Sequence, residues 1–205
     1  PMTEIQAIRS AYRSGKEQVL QRLLAPQFPA RSIYKVLHQL SELTDALLVQ
    51  LWDQAGLGVP CALVAVGGYG RAELFPYSDV DVLVLLPDGA PADAALSAKI
   101  ERVIGNCWDA GLEIGSSVRS LGECLSEAAK DVTVQTAMLE SRCIAGDSVL
   151  VDTFQKAFLQ ALEPRAFFVA KTLELRQRHT KFEDTPYALE PNCKESPGGI
   201  RDLQA

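Results

Sequence analysis

Short, continuously apolar runs alternate with longer stretches of helical periodicity along this chain. CALVAV (61–66) and the apolar part of DVDVLVLL (79–86) are too short for typical helices and lack the alternation of a half-exposed strand. Such runs predict strands that are buried on both faces. EIGSSVRS (113–120) predicts a third strand with a less apolar pattern. We therefore expect a small mixed sheet of three or more strands, packed with helices.

Helical periodicity flanks these strands on both sides. Apolar residues spaced three and four apart predict a helix within 31–55, and later helices are expected near 121–129, 131–142, 147–161 and 164–180. The fold class is thus α/β (α+β), with a helical N-terminal segment over 1–58, a core with the strands over 59–120 and a helical subdomain with a binding loop over 121–205. Trp52 and Trp108 are expected to pack in the core.

Composition and charge narrow the class of protein. Hydrophobic residues make up 47% of the 205 residues and charged residues 22%, which is typical of a globular protein. The formal net charge of −6 provides no overall basic field, so we expect neither nucleic acid nor a membrane as a partner. No run approaches the ~18 apolar residues of a membrane span. Five scattered cysteines predict reduced thiols and a cytoplasmic location.

Two aspartates, Asp79 and Asp81, stand at the start of the second apolar strand. Residues two apart on a strand point to the same side, with α-carbons ~6.6 Å apart at a rise of ~3.3 Å per residue. Neighbouring carboxylates repel each other, and a divalent cation removes that repulsion. Mg²⁺ prefers one or two carboxylates together with water and substrate phosphates. The pair therefore predicts a metal-dependent site for phosphoryl or nucleotidyl transfer.

A glycine-rich connection, GGYGR, joins the first two strands. Gly67 and Gly68 lack β-carbons, so their backbone can approach a phosphate closely, and a helix beginning near Tyr69 would direct its positive end there. Arg71 adds a cationic side chain. Each feature alone is common, because Gly-Gly after a strand is often a plain turn and Arg71 could be a surface partner of Glu73. Their order and spacing together favour a nucleotide site.

The combination of Gly-Gly, ten further residues and Asp-x-Asp in an apolar strand resembles the signature of the DNA polymerase β-like nucleotidyltransferase superfamily. Longer segments are similar to the bacterial protein-PII uridylyltransferase/uridylyl-removing enzymes: GGYGRAELFPYSDVD, WDAGLEIGSSVRSLGECL (108–125), DVTVQTAMLESRCIAGD (131–147) and YALEPNCKESPGGIRDLQ (187–204). The similarity spans 61–204 in the same order, and PNCKESPGGIRDLQ is its most specific part.

This resemblance implies a polymerase β-like fold and transfer of UMP from UTP to a tyrosine of the small signalling protein PII, with release of pyrophosphate. Asp79 and Asp81 would hold two Mg²⁺ ions, and Gly67 and Gly68 would contact phosphates. The superfamily usually adds a third acid from a neighbouring strand. Glu113 is the candidate, although it could equally cap the strand in solvent.

Further candidates follow from the same resemblance. Ser78 could contact a phosphate oxygen or initiate a turn with Tyr77, and we favour the turn. Lys194 and Arg201 flank the Pro-Gly-Gly segment and could close over the nucleotide, approach PII or belong to a solvated loop. The active site is expected in a cleft between the sheet and the helical subdomain, with the 192–202 loop at its rim. The expected nucleotide-binding residues are Gly67, Gly68, Arg71, Ser78, Lys194 and Arg201.

The family also contains an HD-type phosphohydrolase domain that removes UMP, and ACT domains that sense glutamine. Because this sequence stops before those segments and begins with Pro1 ahead of Met2, we expect a piece of a longer chain without uridylyl-removing activity. Two alternatives stay open. One is an adenylyl-transferring relative, since the Gly-Gly and Asp-x-Asp residues do not select the base. The other is a non-catalytic nucleotide-binding or PII-docking module with structural aspartates.

Overall fold

The structure, a computed structural model, describes residues 3–25, 27–89, 93–182, 190 and 192–204. Part of the similar segment 187–204 lies outside these residues. The helices are α1 (Glu4–Gln21), α2 (Ile33–Gln54), α3 (Gly67–Gly70), α4 (Ala94–Asp109), α5 (Leu121–Lys130), α6 (Val132–Leu139), α7 (Ser148–Ala161), α8 (Pro164–Lys181) and α9 (Ile200–Leu203). The strands are β1 (Ala62–Ala65), β2 (Val80–Leu86), β3 (Ile114–Ser120) and β4 (Arg142–Gly146).

The strands form one mixed sheet in the order β3-β2-β1-β4. β2 and β3 are parallel, whereas β1 is antiparallel to both of its neighbours. The parallel pair is connected through α4, as a parallel connection requires a crossover element. The expected α/β class, with a small mixed sheet packed by helices, is confirmed.

Both faces of the central strands are buried, which explains their continuous apolar sequences. Leu63 of β1 and Val82 of β2 belong to a core shared with α1, α2 and α4. Val64 and Leu83, the next residues on each strand, belong to a second core shared with α5, α6 and α7. Because side chains alternate along a strand, every position from 62 to 65 and from 82 to 85 must be apolar or small.

β4 was not predicted from the sequence. The predicted helix over 131–142 ends at Leu139, and residues 142–146 then pair with the free edge of β1. Gly146 has a φ of 86°, and a β-carbon there would lie 2.3 Å from the carbonyl oxygen of Cys61. The strand RCIAG is short and only half-buried, so its sequence lacks the apolar run that marks β1 and β2.

The prediction for Trp108 was wrong, whereas that for Trp52 is confirmed. Trp52 is 1% exposed in the first core, but Trp108 is 55% exposed on α4. The adjacent Cys107 occupies the inward-facing position instead. Neighbouring residues on a helix point about 100° apart, so both could not face the sheet.

The N-terminal helices contribute directly to the core beneath the sheet. Leu48, Leu51 and Trp52 of α2 pack in the same cluster as β1 and β2. The division of the chain at 58 and 120 remains a prediction. Within the described ranges, none of the helices combines the length and the apolar composition that crossing a membrane requires.

Candidate active site

Asp79 and Asp81 continue one face of β2 beyond its apolar part. Leu83 and Leu85 lie on that face in the second core, and the alternation of the strand places Asp81 and then Asp79 on the same side. Asp81 is exposed, in contrast to the buried residues that follow it. Both aspartates line a cleft of about 610 Å³. The face of β2 that is buried at Leu83 and Leu85 is therefore open to the cleft at Asp81 and Asp79.

The glycine connection forms a second part of the cleft. It folds as the single-turn helix α3, which begins at Gly67 rather than near Tyr69. Gly67 has a φ of 60°, a conformation that favours glycine. The amide of Val66, directly before it, donates to the carbonyl oxygen of Asp81 at 3.1 Å. This hydrogen bond fixes the glycine turn beside the aspartate strand.

The opposite walls come from α6, α8 and the segment 192–204. The cleft is lined by Thr133, Thr136 and Ala137 of α6, by Glu140 directly after α6, by Lys171, Glu174 and Arg178 of α8, and by Lys194, Ile200, Arg201 and Gln204 of the C-terminal segment. The cleft thus brings together the predicted residues Gly67, Gly68, Arg71, Ser78, Asp79, Asp81, Lys194 and Arg201. Residues more than 130 positions apart in sequence meet at one site.

The electrostatics of Asp81 reflect its neighbours. Partial burial against the protein raises the pKa of the Asp81 carboxyl group, and the nearby Asp79 raises it further. The positive charge of Lys194 acts in the opposite direction. Because Asp79 raises the pKa of the Asp81 carboxyl group and Lys194 lowers it, a cation bound beside these carboxylates would relieve their repulsion.

Most basic side chains of the cleft are already paired with carboxylates. Arg71 lies 3.0 Å from Glu73 and 2.5 Å from Glu140, measured between the ion-pair atoms. Burial alone would lower the pKa of Arg71, but these hydrogen bonds outweigh it and raise the pKa. The pairing with Glu73 is the alternative that the sequence left open, and Glu140, directly after α6, is a second partner. Arg71 therefore connects the glycine turn to the wall of the cleft.

Lys194 differs from these residues. Lys171 pairs with Glu174 at 2.5 Å, and Arg201 pairs with Glu195 at 3.2 Å. Among the described residues, Lys194 forms no such ion pair, and its charge acts on Asp81. Its ammonium group is thus the cleft cation least committed to the protein's own carboxylates.

Glu113 lies outside the lining of the cleft, in contrast to Asp79 and Asp81. Glu113 immediately precedes β3 and accepts a 2.8 Å hydrogen bond from the amide of Val80 through its carbonyl oxygen. Its side chain is exposed and does not line the cleft. In the described part of the chain, no three acidic, histidine or cysteine side chains cluster closely enough to hold a metal ion. The role of Glu113 as a third acid remains a prediction.

Ser78 closes a turn at the edge of the cleft. Its amide donates to the carbonyl oxygen of Phe75 at 3.1 Å, and its side chain is exposed. Because Ser78 also lines the cleft, contact with a phosphate remains a prediction.

Sequence reasoning missed the charged residues of α8. Lys171, Glu174 and Arg178 follow one another at spacings of three and four, with ion pairs of 2.5 Å and 3.0 Å. Such spacing places oppositely charged side chains on one face of a helix. This periodicity was visible in the sequence, but it does not distinguish a cleft wall from a solvated surface.

A hydrogen-bond network of Asp45, Tyr69 and Arg142 connects the glycine turn to α2 and β4. Arg142 of β4 donates to both carboxylate oxygens of Asp45 on α2, at 2.7 Å and 3.1 Å. Tyr69 of α3 donates its hydroxyl to Asp45 at 2.5 Å, and its carbonyl oxygen accepts from Arg142 at 3.3 Å. The strand that the sequence did not predict therefore carries the residue that ties α2 to α3.

Family models identify the chain as a nucleotidyltransferase. A model of the DUF294 nucleotidyltransferase family matches residues 16–135, which is more than half of the chain, and the chain belongs to this family. A second family model, GlnD PII-uridylyltransferase, matches residues 166–205. The resemblance drawn from the sequence motifs is thereby confirmed.

Curated relatives carry a more specific name. The chain is 55% identical over 204 residues to a bifunctional uridylyltransferase/uridylyl-removing enzyme of Burkholderia orbicola (strain AU 1054), covering 100% of this chain and 23% of the relative. An enzyme of the same name from Burkholderia vietnamiensis (strain G4) is 54% identical, over 100% of this chain and 23% of the relative. Another, from Burkholderia pseudomallei (strain K96243), is 53% identical, over 96% of this chain and 22% of the relative. The chain spans about a quarter of the length of these relatives.

Proposed function

We propose that this chain is a Mg²⁺-dependent uridylyltransferase, which moves UMP from UTP to a tyrosine of the PII protein and releases pyrophosphate. The observation that carries the proposal is the cleft in which Asp79 and Asp81 face Lys194 beside a glycine turn. The identity of 55% to enzymes named as uridylyltransferases supports the choice of the nucleotide.

The donor set of the cleft fits Mg²⁺. Asp79 and Asp81 offer carboxylate oxygens, and the raised pKa of Asp81 reflects an electrostatic cost that a cation would remove. Mg²⁺ sites at phosphates commonly use one or two carboxylates and complete their shell with water and phosphate oxygens. Asp79 and Asp81 would therefore hold the metal, with Glu113 as a third candidate and two ions as the expected number. Bound Mg²⁺ supplies charge neutralisation on the triphosphate and lowers the pKa of an attacking hydroxyl.

The other cleft residues would bind and orient the triphosphate. Gly67 and Gly68 line the cleft, and a β-carbon at Gly67 would meet no atom within 4 Å, so the backbone faces open space. Lys194 would contact phosphate oxygens through its ammonium group. Arg201 and Ser78 lie at the same cleft and are assigned to the nucleotide. Arg71, held by two carboxylates, would act chiefly by keeping the turn in place.

The reaction itself is an in-line displacement. The tyrosine oxygen of the acceptor forms a bond to the α-phosphorus of UTP as the bond from that phosphorus to the pyrophosphate oxygen breaks. The phenolic proton leaves to solvent or to a nearby carboxylate. Catalysis then depends on positioning and on charge neutralisation, both of which this cleft offers. The proposed setting is the cytoplasm, without nucleic acid or membrane as a partner.

Transfer of labelled nucleotide tests this proposal. The chain would be incubated with PII, Mg²⁺ and either α-labelled UTP or α-labelled ATP, and the label on PII would be measured. We expect label from UTP, loss of labelling with EDTA, and no label on PII with its acceptor tyrosine changed to phenylalanine. Preferential labelling from ATP would favour an adenylyl-transferring enzyme. Absence of transfer despite nucleotide binding would favour the non-catalytic module.

A further inference from the structure

The segment 192–204 is a compact unit with its own hydrogen bonds. The side chain of Asn192 accepts from the amides of Lys194 and Glu195 at 3.0 Å and 2.9 Å. The amides of Ile200 and Arg201 donate back to the carbonyl oxygens of Cys193 and Lys194, at 2.8 Å and 3.2 Å. Because α9 is bonded to the backbone at Lys194, a displacement of α9 also displaces Lys194.

Asp202 joins this unit to the rest of the fold. One carboxylate oxygen of Asp202 accepts from Arg178 at 2.7 Å, and the other lies 2.8 Å from Nε2 of His179. The same second oxygen accepts from the amide of Gly198 at 2.7 Å. Asp202 therefore links the segment 192–204 to α8 through both of its carboxylate oxygens.

Arg178, the arginine that binds Asp202, is itself held by a second ion pair. The Arg178 side chain is 8% exposed and is also bonded to Glu174, so its guanidinium group is held from two sides. Burial opposes ionisation of Asp202, but the bonds from Gly198, Arg178 and His179 outweigh it and lower the pKa of the carboxyl group. Asp202 is therefore ionised and well anchored at neutral pH.

We propose that Asp202 is a positioning residue that holds Lys194 beside the Asp79–Asp81 pair by fastening the segment 192–204 to α8. This inference rests on the proposed function, because it assigns Lys194 to the triphosphate. Asp202 acts through Lys194 and does not itself contact the nucleotide. The consequence is that a residue outside the cleft lining controls the affinity of the cleft for a metal–triphosphate complex.

The test compares four variants of the 205-residue chain. Asp202→Ala removes the anchor, and Asp202→Asn removes its charge while keeping its size. Lys194→Met removes the charge that the anchor positions. Glu127→Gln is the matched control, because it neutralises a carboxylate in a surface ion pair with Lys130, outside the cleft. Far-UV circular dichroism and thermal unfolding establish that each variant is folded.

Two readouts separate positioning from simple stability. Hydrogen–deuterium exchange reports whether 192–204 is released, and calorimetric titration with MgUTP reports affinity. We expect Asp202→Ala to speed exchange in 192–204 without altering exchange in β2, and to weaken MgUTP binding about ten-fold, as loss of a charge-assisted contact does. Asp202→Asn should give a smaller loss in the same direction, and Glu127→Gln none.

A double variant shows whether Asp202 acts through Lys194. We expect Asp202→Ala to weaken MgUTP binding less in the Lys194→Met background than in the unaltered chain, and the remaining loss to be that of Arg201, which lies on the same segment. Unchanged exchange in Asp202→Ala, unchanged MgUTP affinity despite faster exchange, or losses that multiply in the double variant would each overturn the positioning role. If the unaltered chain failed to bind MgUTP, the proposed function would fall together with this inference.

Discussion

At the scale of single residues, the carboxylate pair carries an electrostatic cost in the metal-free protein. The pKa of Asp81 is raised first by burial and then by Asp79. When a carboxyl group has a higher pKa in the folded state than in the unfolded state, the free energy of unfolding of the protein decreases as the pH rises between those two values. Near neutral pH the ionised Asp81 carboxylate therefore lowers the stability of the folded protein.

Asp79→Asn should lower the pKa of Asp81 and stabilise the metal-free protein at neutral pH. Because Asp81 is exposed to solvent in the cleft, screening limits the gain to about 0.5 kcal/mol. NMR titration of the Asp81 carboxyl group and urea unfolding in EDTA measure the two effects. Asp53→Asn, at an exposed position on α2, is the control. An Asp81 pKa that does not change in Asp79→Asn would contradict this account of the pair.

Gly115 is a residue whose importance only the structure reveals. It pairs with Asp81 across the parallel β2–β3 register, and a β-carbon at Gly115 would lie 2.4 Å from Oδ1 of Asp81. That distance is shorter than van der Waals contact, so any larger residue must displace the carboxylate. The glycine in EIGSSVRS thus leaves room for Asp81.

Gly115→Ala should therefore impair the site without unfolding the protein. A displacement of about 1 Å at a catalytic group can cost on the order of 100-fold in rate, so we expect a loss of ten- to 100-fold in nucleotide transfer. Gly105→Ala, where a β-carbon meets no atom within 4 Å, is the control and should retain full transfer. Wild-type transfer rates in Gly115→Ala would show that the Asp81 position is not constrained by β3.

At the scale of elements, β4 holds the glycine turn through Arg142. Arg142 bridges Asp45 on α2 and the carbonyl oxygen of Tyr69 on α3. Gly70 of the same turn packs so closely on the end of α6 that a β-carbon there would overlap the carbonyl oxygen of Glu140. The turn is thus held by α2, by β4 and by α6.

Arg142→Met should destabilise the protein because it leaves Asp45 without its cationic partner. Breaking a fully buried ion pair costs about 3–5 kcal/mol. Since the Arg142 and Asp45 side chains are 31% and 26% exposed, solvent screening reduces the expected loss to about 1–2 kcal/mol.

Urea denaturation measures this loss directly. Arg13→Met is the control, because Arg13 and Glu17 form an ion pair with side chains 79% and 58% exposed, and we expect a change below about 0.5 kcal/mol. Equal effects of the two substitutions would mean that the Arg142 network does not support the fold.

Elements with a strong local signal were predictable, and elements formed by distant contacts were not. β1 and β2 are continuous apolar runs because helices cover both sheet faces, so pattern alone identified them. β4 is a strand because β1 offers an unpaired edge, and RCIAG carries little of that information itself. Trp108 was misassigned because composition does not reveal which side of α4 faces the sheet.

At the scale of the whole molecule, the cleft depends on contacts across the entire chain. The sequence indicated Asp79, Asp81 and the glycines because they lie in one local motif. It could not indicate that Lys171, Glu174 and Arg178 line the same cleft, or that Asp202 fastens Lys194 there, because those contacts join separate elements. Local motifs identify the chemistry, whereas the packing of α6 and α8 defines the space around it.

The central claim is that Asp79 and Asp81 bind a nucleoside triphosphate through Mg²⁺. Calorimetric titration of UTP into the unaltered chain, Asp79→Asn and Asp81→Asn, each with Mg²⁺ and with EDTA, tests it most directly. We predict binding that requires Mg²⁺ in the unaltered chain and falls at least about ten-fold in either variant. Equal, metal-independent affinity in all three proteins would contradict the claim.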